Sequence, residues 1–297
     1  MELTDGPAPP PELAVRTFAA AFARREPGAT AAPEALAVSA YRAQGDELSA
    51  LLLDLSPGEW DAPTLSGFTV AELVGHLMAI EAYVASILGV APPPGLAPFE
   101  VPAGLEDDHR AVTEPTIAAH AGVTPDDVVA EWWAWVDANV AHLATLGEDA
   151  LDDRVLLHGL DLSLRSMLGA RVFEMWTHAD DIRRATGRPL RAPAAHHLAF
   201  MSALAVGALP LGLLLAGIDD PGRTVRVVLT GDGGGEFVQT LTVGGTPGTP
   251  DATVTADVVD FCRLAAQRLT PAELRHEVMG DAGTVADVLV GAGVFAA

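Results

Sequence analysis

The 297-residue chain contains no lysine: its 17 basic residues are all arginine, against 40 Asp and Glu, for a formal net charge of −23. Acid in that surplus argues against nucleic acid and anionic membrane surfaces as partners, because phosphates are repelled on approach. Cysteine is nearly missing as well. Cys262 stands alone and cannot close an internal disulfide, which fits a reducing cytoplasm. The first residues, Met1-Glu2-Leu3-Thr4-Asp5, are acidic and run into prolines, so a secretory signal is not expected and the expected location is cytoplasmic. The lack of lysine beside abundant Ala, Gly and Pro points to a GC-rich genome, since lysine codons are AT-rich. Apolar side chains, by contrast, are plentiful. At 49% of the chain they can build a core and exclude disorder over the whole length, and the length suits one large domain or two ordinary ones. One run, residues 198–218, has 21 residues without charge and is long enough to cross a bilayer. It is rich in Ala and Gly, carries Pro210 at its middle and has no flanking arginine cluster. A buried helix is therefore expected there, and no membrane.

Along the chain, residues 1–32 read as an N-terminal extension with a helix near 12–25. Residues 33–192 read as a helical bundle. The first helix (33–55) has apolar positions Leu36, Ala40, Leu48, Leu51, Leu52 and Leu55, and Ser56-Pro57-Gly58 stops it. Thr69 with Glu72 three residues on is a capping box that opens a second helix running to about 89. Residues 90–123 are proline-rich and read as an irregular connection with a short helix. Thr124-Pro125-Asp126-Asp127 starts a third long helix through the tryptophans at 132, 133 and 135. A fourth runs from Ser163 to Thr186, stopped by Gly187 and Pro189. Four long helices in this order predict an antiparallel bundle. An apolar connecting helix and turn occupy 193–222. Residues 223–297 read as a small α+β domain: β-branched runs at 224–230 and 236–243 around Gly231–Gly235, a third strand at 252–255, and amphipathic helices at 256–268, 271–278 and 284–290. The fold class expected is α+β.

The fourth helix carries an unusual stripe. Glu174 and His178 are four apart and project from one face about 6 Å apart along the axis, with Arg171 and Asp181 extending the row. On the second helix His76 sits among Leu73, Val74, Leu77 and Ile80, which should face the core. If the two helices pack, two imidazoles and a carboxylate meet, the ligand set of catalytic zinc sites with one position open. Spacing alone leaves plainer readings standing. A Glu/His pair at this interval is also a common solvated surface pair, and a lone histidine on an apolar face is often only hydrogen-bonded in the core. Glu72 and His76 share the same interval, but the capping box already accounts for Glu72. His158, in the loop before the fourth helix, is a candidate for lining a binding pocket; His109, His120, His142, His196, His197 and His276 lack partners at ligand spacing. Asp181 is expected to accept the free N–H of His178 and Asp180 to face solvent.

At these residues the chain resembles the mycothiol-dependent maleylpyruvate isomerase family, within the wider DinB-like four-helix metalloproteins. Trp60-Asp61-Ala62-Pro63-Thr64 is similar to the family's loop after the first helix. The run from Phe68 to Leu77 is similar to its second-helix motif, with Phe68 where Trp is commoner. Arg171-x-x-Glu174-x-x-x-His178-x-x-Asp181 is similar to its fourth-helix motif. Ala266-Gln267-Arg268 and Met279-Gly280-Asp281 resemble, more loosely, positions in the family's sterol-carrier-like C-terminal domain, and Gln267 stands where glycine is usual. The resemblance implies His76, Glu174 and His178 as ligands of a divalent metal, usually taken as zinc. It also implies mycothiol, a thiol of GC-rich actinobacteria, as cosubstrate for a small-molecule electrophile. Cis–trans isomerisation and transfer of the thiol are the two outcomes it allows, and Arg171 and Arg268 are candidates for holding carboxylates of substrate or thiol. Each arginine has an alternative as a structural ion pair. A non-catalytic metal-binding or small-molecule-binding member of the same fold is the other class open, and on either reading a monomer or homodimer is expected.

Overall fold

The computed structural model describes residues 36–100, 109–157, 160–218 and 222–293. The extension expected at 1–32 and the candidate His158 lie outside the described residues. Two compact units divide between Met201 and Ser202.

The first unit holds α1 (Leu36–Leu53), α2 (Val70–Leu88), α3 (His109–Ala119), α4 (Pro125–Leu143) and α5 (Leu164–Ala185). The four long helices are those the periodicity predicts, and α3 is the short one in the proline-rich connection. α2 packs against α4, and α1 against α4 and α5, while α3 lies on α2. Local chemistry fixes each start. The Thr69 hydroxyl accepts from the Glu72 N–H at 3.2 Å, and Glu72 Oε2 accepts from the Thr69 N–H at 2.8 Å. That uses Glu72 as a cap, as its spacing from Thr69 predicted. Thr124 caps α4 with Pro125 in its first turn, and Ser163 caps α5 by accepting from the Ser166 N–H at 3.1 Å. Such caps are each worth about 1 kcal/mol. At the far end of α2, Gly89 adopts φ +68°, the left-handed conformation that glycine takes without strain. Between the helices Leu48, Leu52, Leu73, Leu77, Ile80, Trp132, Leu143, Phe173 and Trp176 are almost fully buried, each contributing on the order of 1.5–3 kcal/mol.

Two readings change. The segment before α5 is a hairpin rather than a loop: β1 (Arg154–Leu157) pairs antiparallel with β2 (Leu160–Ser163), and Arg154 Nε donates to Asp161 Oδ1 at 2.9 Å. The uncharged run at 198–218 is two helices, α6 (Ala195–Gly207) and α7 (Leu209–Leu215), bent by 47°. Pro210 explains the break, because it lacks an N–H for the preceding turn and fits the first turn of a new helix. Among the described residues α2 is also long and apolar enough to cross a membrane, and most of it is buried inside the unit.

The second unit continues with β3 (Thr224–Thr230), β4 (Gly235–Thr240), β5 (Ala252–Asp257), α8 (Val258–Ala265), β6 (His276–Gly280) and α9 (Ala282–Gly291). The sheet order is β4-β3-β5-β6, with β3 parallel to β5 and the other pairs antiparallel. Val225, Val227, Val254, Phe261, Leu264, Val285 and Val288 make its core. The helix expected at 271–278 does not form. Thr270 donates backbone and hydroxyl hydrogens to Glu273, both at 2.8 Å, and closes a single turn. Residues 276–280 then pair with β5 as an edge strand, so sheet pairing overrides local helix propensity. Gln267, the departure from the family's glycine, has φ +55°, the conformation that favours glycine, and its amide donates to the Gly293 carbonyl at 2.9 Å.

Candidate metal centre

The second and fourth long helices bring the stripe and the lone histidine together. His76 Nε2 on α2 lies 3.0 Å from Glu174 Oε1 on α5. The rings of His76 and His178 meet edge to face with centroids 5.5 Å apart. One ligand atom from each of His76, Glu174 and His178 can be chosen so that all three lie within 4.8 Å of one another. Both histidines are almost fully buried, and Glu174 is the most accessible of the three with 10% of its side chain exposed. Phe68 stacks on His76 at 5.8 Å and 27°, an aromatic wall against that ring. Two imidazoles and a carboxylate converging from two helices suit a borderline cation such as zinc, and three protein donors leave a coordination position open. The donor set therefore fits the metal that the resemblance implies.

The surrounding residues orient these donors. His178 Nδ1 lies 3.2 Å from Asp181 Oδ2, with 1% and 0% of the two side chains exposed. A carboxylate in that place accepts the Nδ1 hydrogen and leaves Nε2 as the donor atom. Asp181 also lies 3.5 Å from Arg184. Asp180, expected in solvent, is buried instead: Arg183 Nη1 donates to it at 3.3 Å, and so does the Arg191 N–H. One donor comes from the same helix, one turn on, and the other from the chain that follows the helix end.

Arg171 is placed differently from a substrate clamp. Its side chain is 1% exposed, Nη1 donates to Glu174 Oε2, and Nη2 donates to Glu81 Oε1 at 2.7 Å. This is the ion-pair alternative, an arginine turned inward between two carboxylates. Arg268 belongs to the second unit, where its guanidinium donates to the Ala266 carbonyl at 3.0 Å.

Sequence reasoning missed Glu81, Tyr41 and Asn139. The Tyr41 hydroxyl donates to Glu81 Oε2, and Asn139 Nδ2 donates to the Glu81 backbone carbonyl at 3.0 Å and to Oε2 at 3.3 Å. Burial first, then the charge on Glu81, raises the Tyr41 hydroxyl well above its ordinary range, so it stays a donor. The one available signal was a carboxylate standing inside the apolar run from Leu77 to Val84. Among the other histidines, His120 Nδ1 donates to the Thr116 carbonyl at 2.7 Å, and Nε2 lies 3.0 Å from Glu131. Burial, and then the neighbouring His196, bring His197 down to about 4. Both are packing residues outside the cluster.

Fold and site together define the class as a DinB-like helical bundle joined to a small α+β unit. Residues 41–183 match the model of the mycothiol maleylpyruvate isomerase N-terminal domain. The crystal structure of the mycothiol-dependent maleylpyruvate isomerase is similar, with a TM-score of 0.56 at 16% identity, over 83% of this chain and 93% of that one. A histidine-to-alanine mutant of that enzyme matches equally. Two uncharacterized proteins of Mycobacterium tuberculosis, from strains CDC 1551 and H37Rv, are 29% identical over 251 residues, 82% of this chain and 90% of each relative.

Proposed function

We propose that the protein is an enzyme that binds a divalent metal, zinc by preference, through His76, Glu174 and His178, and activates mycothiol for attack on a small electrophile. The convergence of these three donors carries the reading, and the match of residues 41–183 to the mycothiol maleylpyruvate isomerase N-terminal domain supports mycothiol as the thiol. When bound there, such a cation supplies Lewis acidity that keeps a thiol at its open position as the nucleophilic thiolate.

The chain's own residues do the remaining work. His76 and His178 present lone pairs, and Asp181 holds the proton of His178 on Nδ1 so that Nε2 faces inward. Arg171 takes up one oxygen of Glu174 and leaves Oε1 turned toward His76. Phe68 keeps the His76 ring from turning and shields that side from water. A maleylpyruvate isomerase-like reaction adds the thiol to a cis double bond, lets the adduct rotate and expels the thiol, whereas an S-transferase keeps the new bond.

Incubation of the metal-loaded protein with mycothiol and maleylpyruvate, and separately with thiol-reactive electrophiles, tests the proposal. The trans isomer with mycothiol conserved indicates the isomerase, and a stable thioether with mycothiol consumed indicates the transferase. A metal-loaded protein that does neither contradicts the catalytic reading and favours a binding role.

A further inference from the structure

Glu81 lies five residues beyond His76 on α2 and has no exposed side-chain surface. A carboxylate buried that deeply is costly unless it is paired and hydrogen-bonded. Its oxygens face three donors from three other helices: Arg171 Nη2, the Tyr41 hydroxyl and Asn139 Nδ2. The opposite end of the same guanidinium donates to Glu174 Oε2, and Glu174 Oε1 faces His76. One arginine thus bridges two carboxylates, and a continuous polar line runs from Tyr41 on α1 to the first ligand.

For a purely structural pair the guanidinium needs one carboxylate, and Glu174, one turn away on the same helix, already provides it. The second carboxylate changes the charge balance. Glu81, Arg171 and Glu174 sum to one negative charge; without Glu81 they sum to none, and Arg171 neutralises the carboxylate that a cation needs. The bridge also claims Oε2, which leaves Oε1 as the oxygen offered.

We propose that Glu81 is a positioning residue for the metal centre, holding Arg171 so that Glu174 keeps both its orientation and its charge for the cation. This rests on the metal-site reading above. Partners that orient metal ligands change metal affinity by about 10–100-fold when removed, and Glu81 acts at one further remove, through Arg171.

The test is titration of the full-length chain with Co²⁺ alone, followed by its visible absorption bands and by calorimetry, with circular dichroism of the metal-free protein as the folding control. Wild type is expected to bind one ion. Folded Glu81→Gln is expected to bind about 10-fold more weakly with altered bands, and Glu81→Asp, which keeps the charge, to fall between the two. Wild-type affinity and bands in folded Glu81→Gln overturn the positioning role and leave the metal site standing. A wild-type chain that binds no Co²⁺ overturns both. If Glu81→Gln does not fold, Tyr41→Phe carries the test: weaker binding with shifted bands supports the role, and wild-type values overturn it.

Discussion

Asp181→Asn isolates the charge behind His178, the third of the proposed metal ligands. In the folded chain Asp181 Oδ2 is 3.2 Å from His178 Nδ1, and neither side chain exposes more than 1% of its surface. A carboxylate there can only accept, so it fixes the tautomer that turns Nε2 toward His76 and Glu174. Asparagine has the same shape and can turn its amide oxygen toward Nδ1, so the hydrogen bond survives as a neutral one. Charge-assisted bonds are worth about twice neutral ones, a difference of about 1.5 kcal/mol, and that corresponds to about tenfold in affinity. Arg184, 3.5 Å from Oδ1 and 28% exposed, reaches water when its partner is neutral, so it adds little to the cost. The assay is Zn²⁺ competition against a chromophoric chelator, with circular dichroism confirming the fold. Affinity about tenfold below wild type for Asn, and lower still for Ala, is expected. Wild-type affinity in Asp181→Asn refutes the contribution of the Asp181 charge, and wild-type affinity in Asp181→Ala refutes its hold on the tautomer.

Two further predictions concern stability. A Cβ on Gly212 of α7 would lie 1.8 Å from the Gly291 carbonyl oxygen of α9, and backbone cannot give way there as a side chain can. Gly212→Ala should destabilise by about 1–3 kcal/mol or more by thermal unfolding, whereas Gly58→Ala, with nothing near its Cβ, should stay within about 0.5 kcal/mol; equal effects contradict the close approach. Hydrogen bonds from Arg188, then from Ser56, hold the Glu59 carboxyl at about 2 instead of 4.5. Its contribution is therefore present above about 4.5 and lost as the pH falls toward about 2. Glu59→Gln should flatten the acid limb of stability in that window, and acid unfolding identical to wild type would count against the tether.

Helix starts were legible because their chemistry is local. Thr69 with Glu72, Thr124 with Pro125 and Ser163 each satisfy orphan backbone groups within one turn, so spacing alone finds them. The Glu174/His178 pair was legible for the same reason, while its meeting with His76 depended on how α2 and α5 pack and needed the resemblance as well. Glu81 carries no such signal: its partners Tyr41, Asn139 and Arg171 are 40, 58 and 90 positions away. Arg171 stood open between a carboxylate clamp and a structural ion pair because a charge in a polar stripe is ambiguous until its partners are placed. Strand β6 was hidden because Pro271 to Val278 has helical periodicity, and only the open edge of β5 makes the extended form favourable.

Metal stoichiometry bears most directly on the central claim. Elemental analysis of purified wild type after loading with zinc and removal of excess should give one ion per chain. The His76→Ala chain, folded by circular dichroism because the bundle keeps its apolar core, should give none. Full occupancy in His76→Ala contradicts the assignment of His76, Glu174 and His178 as the metal centre.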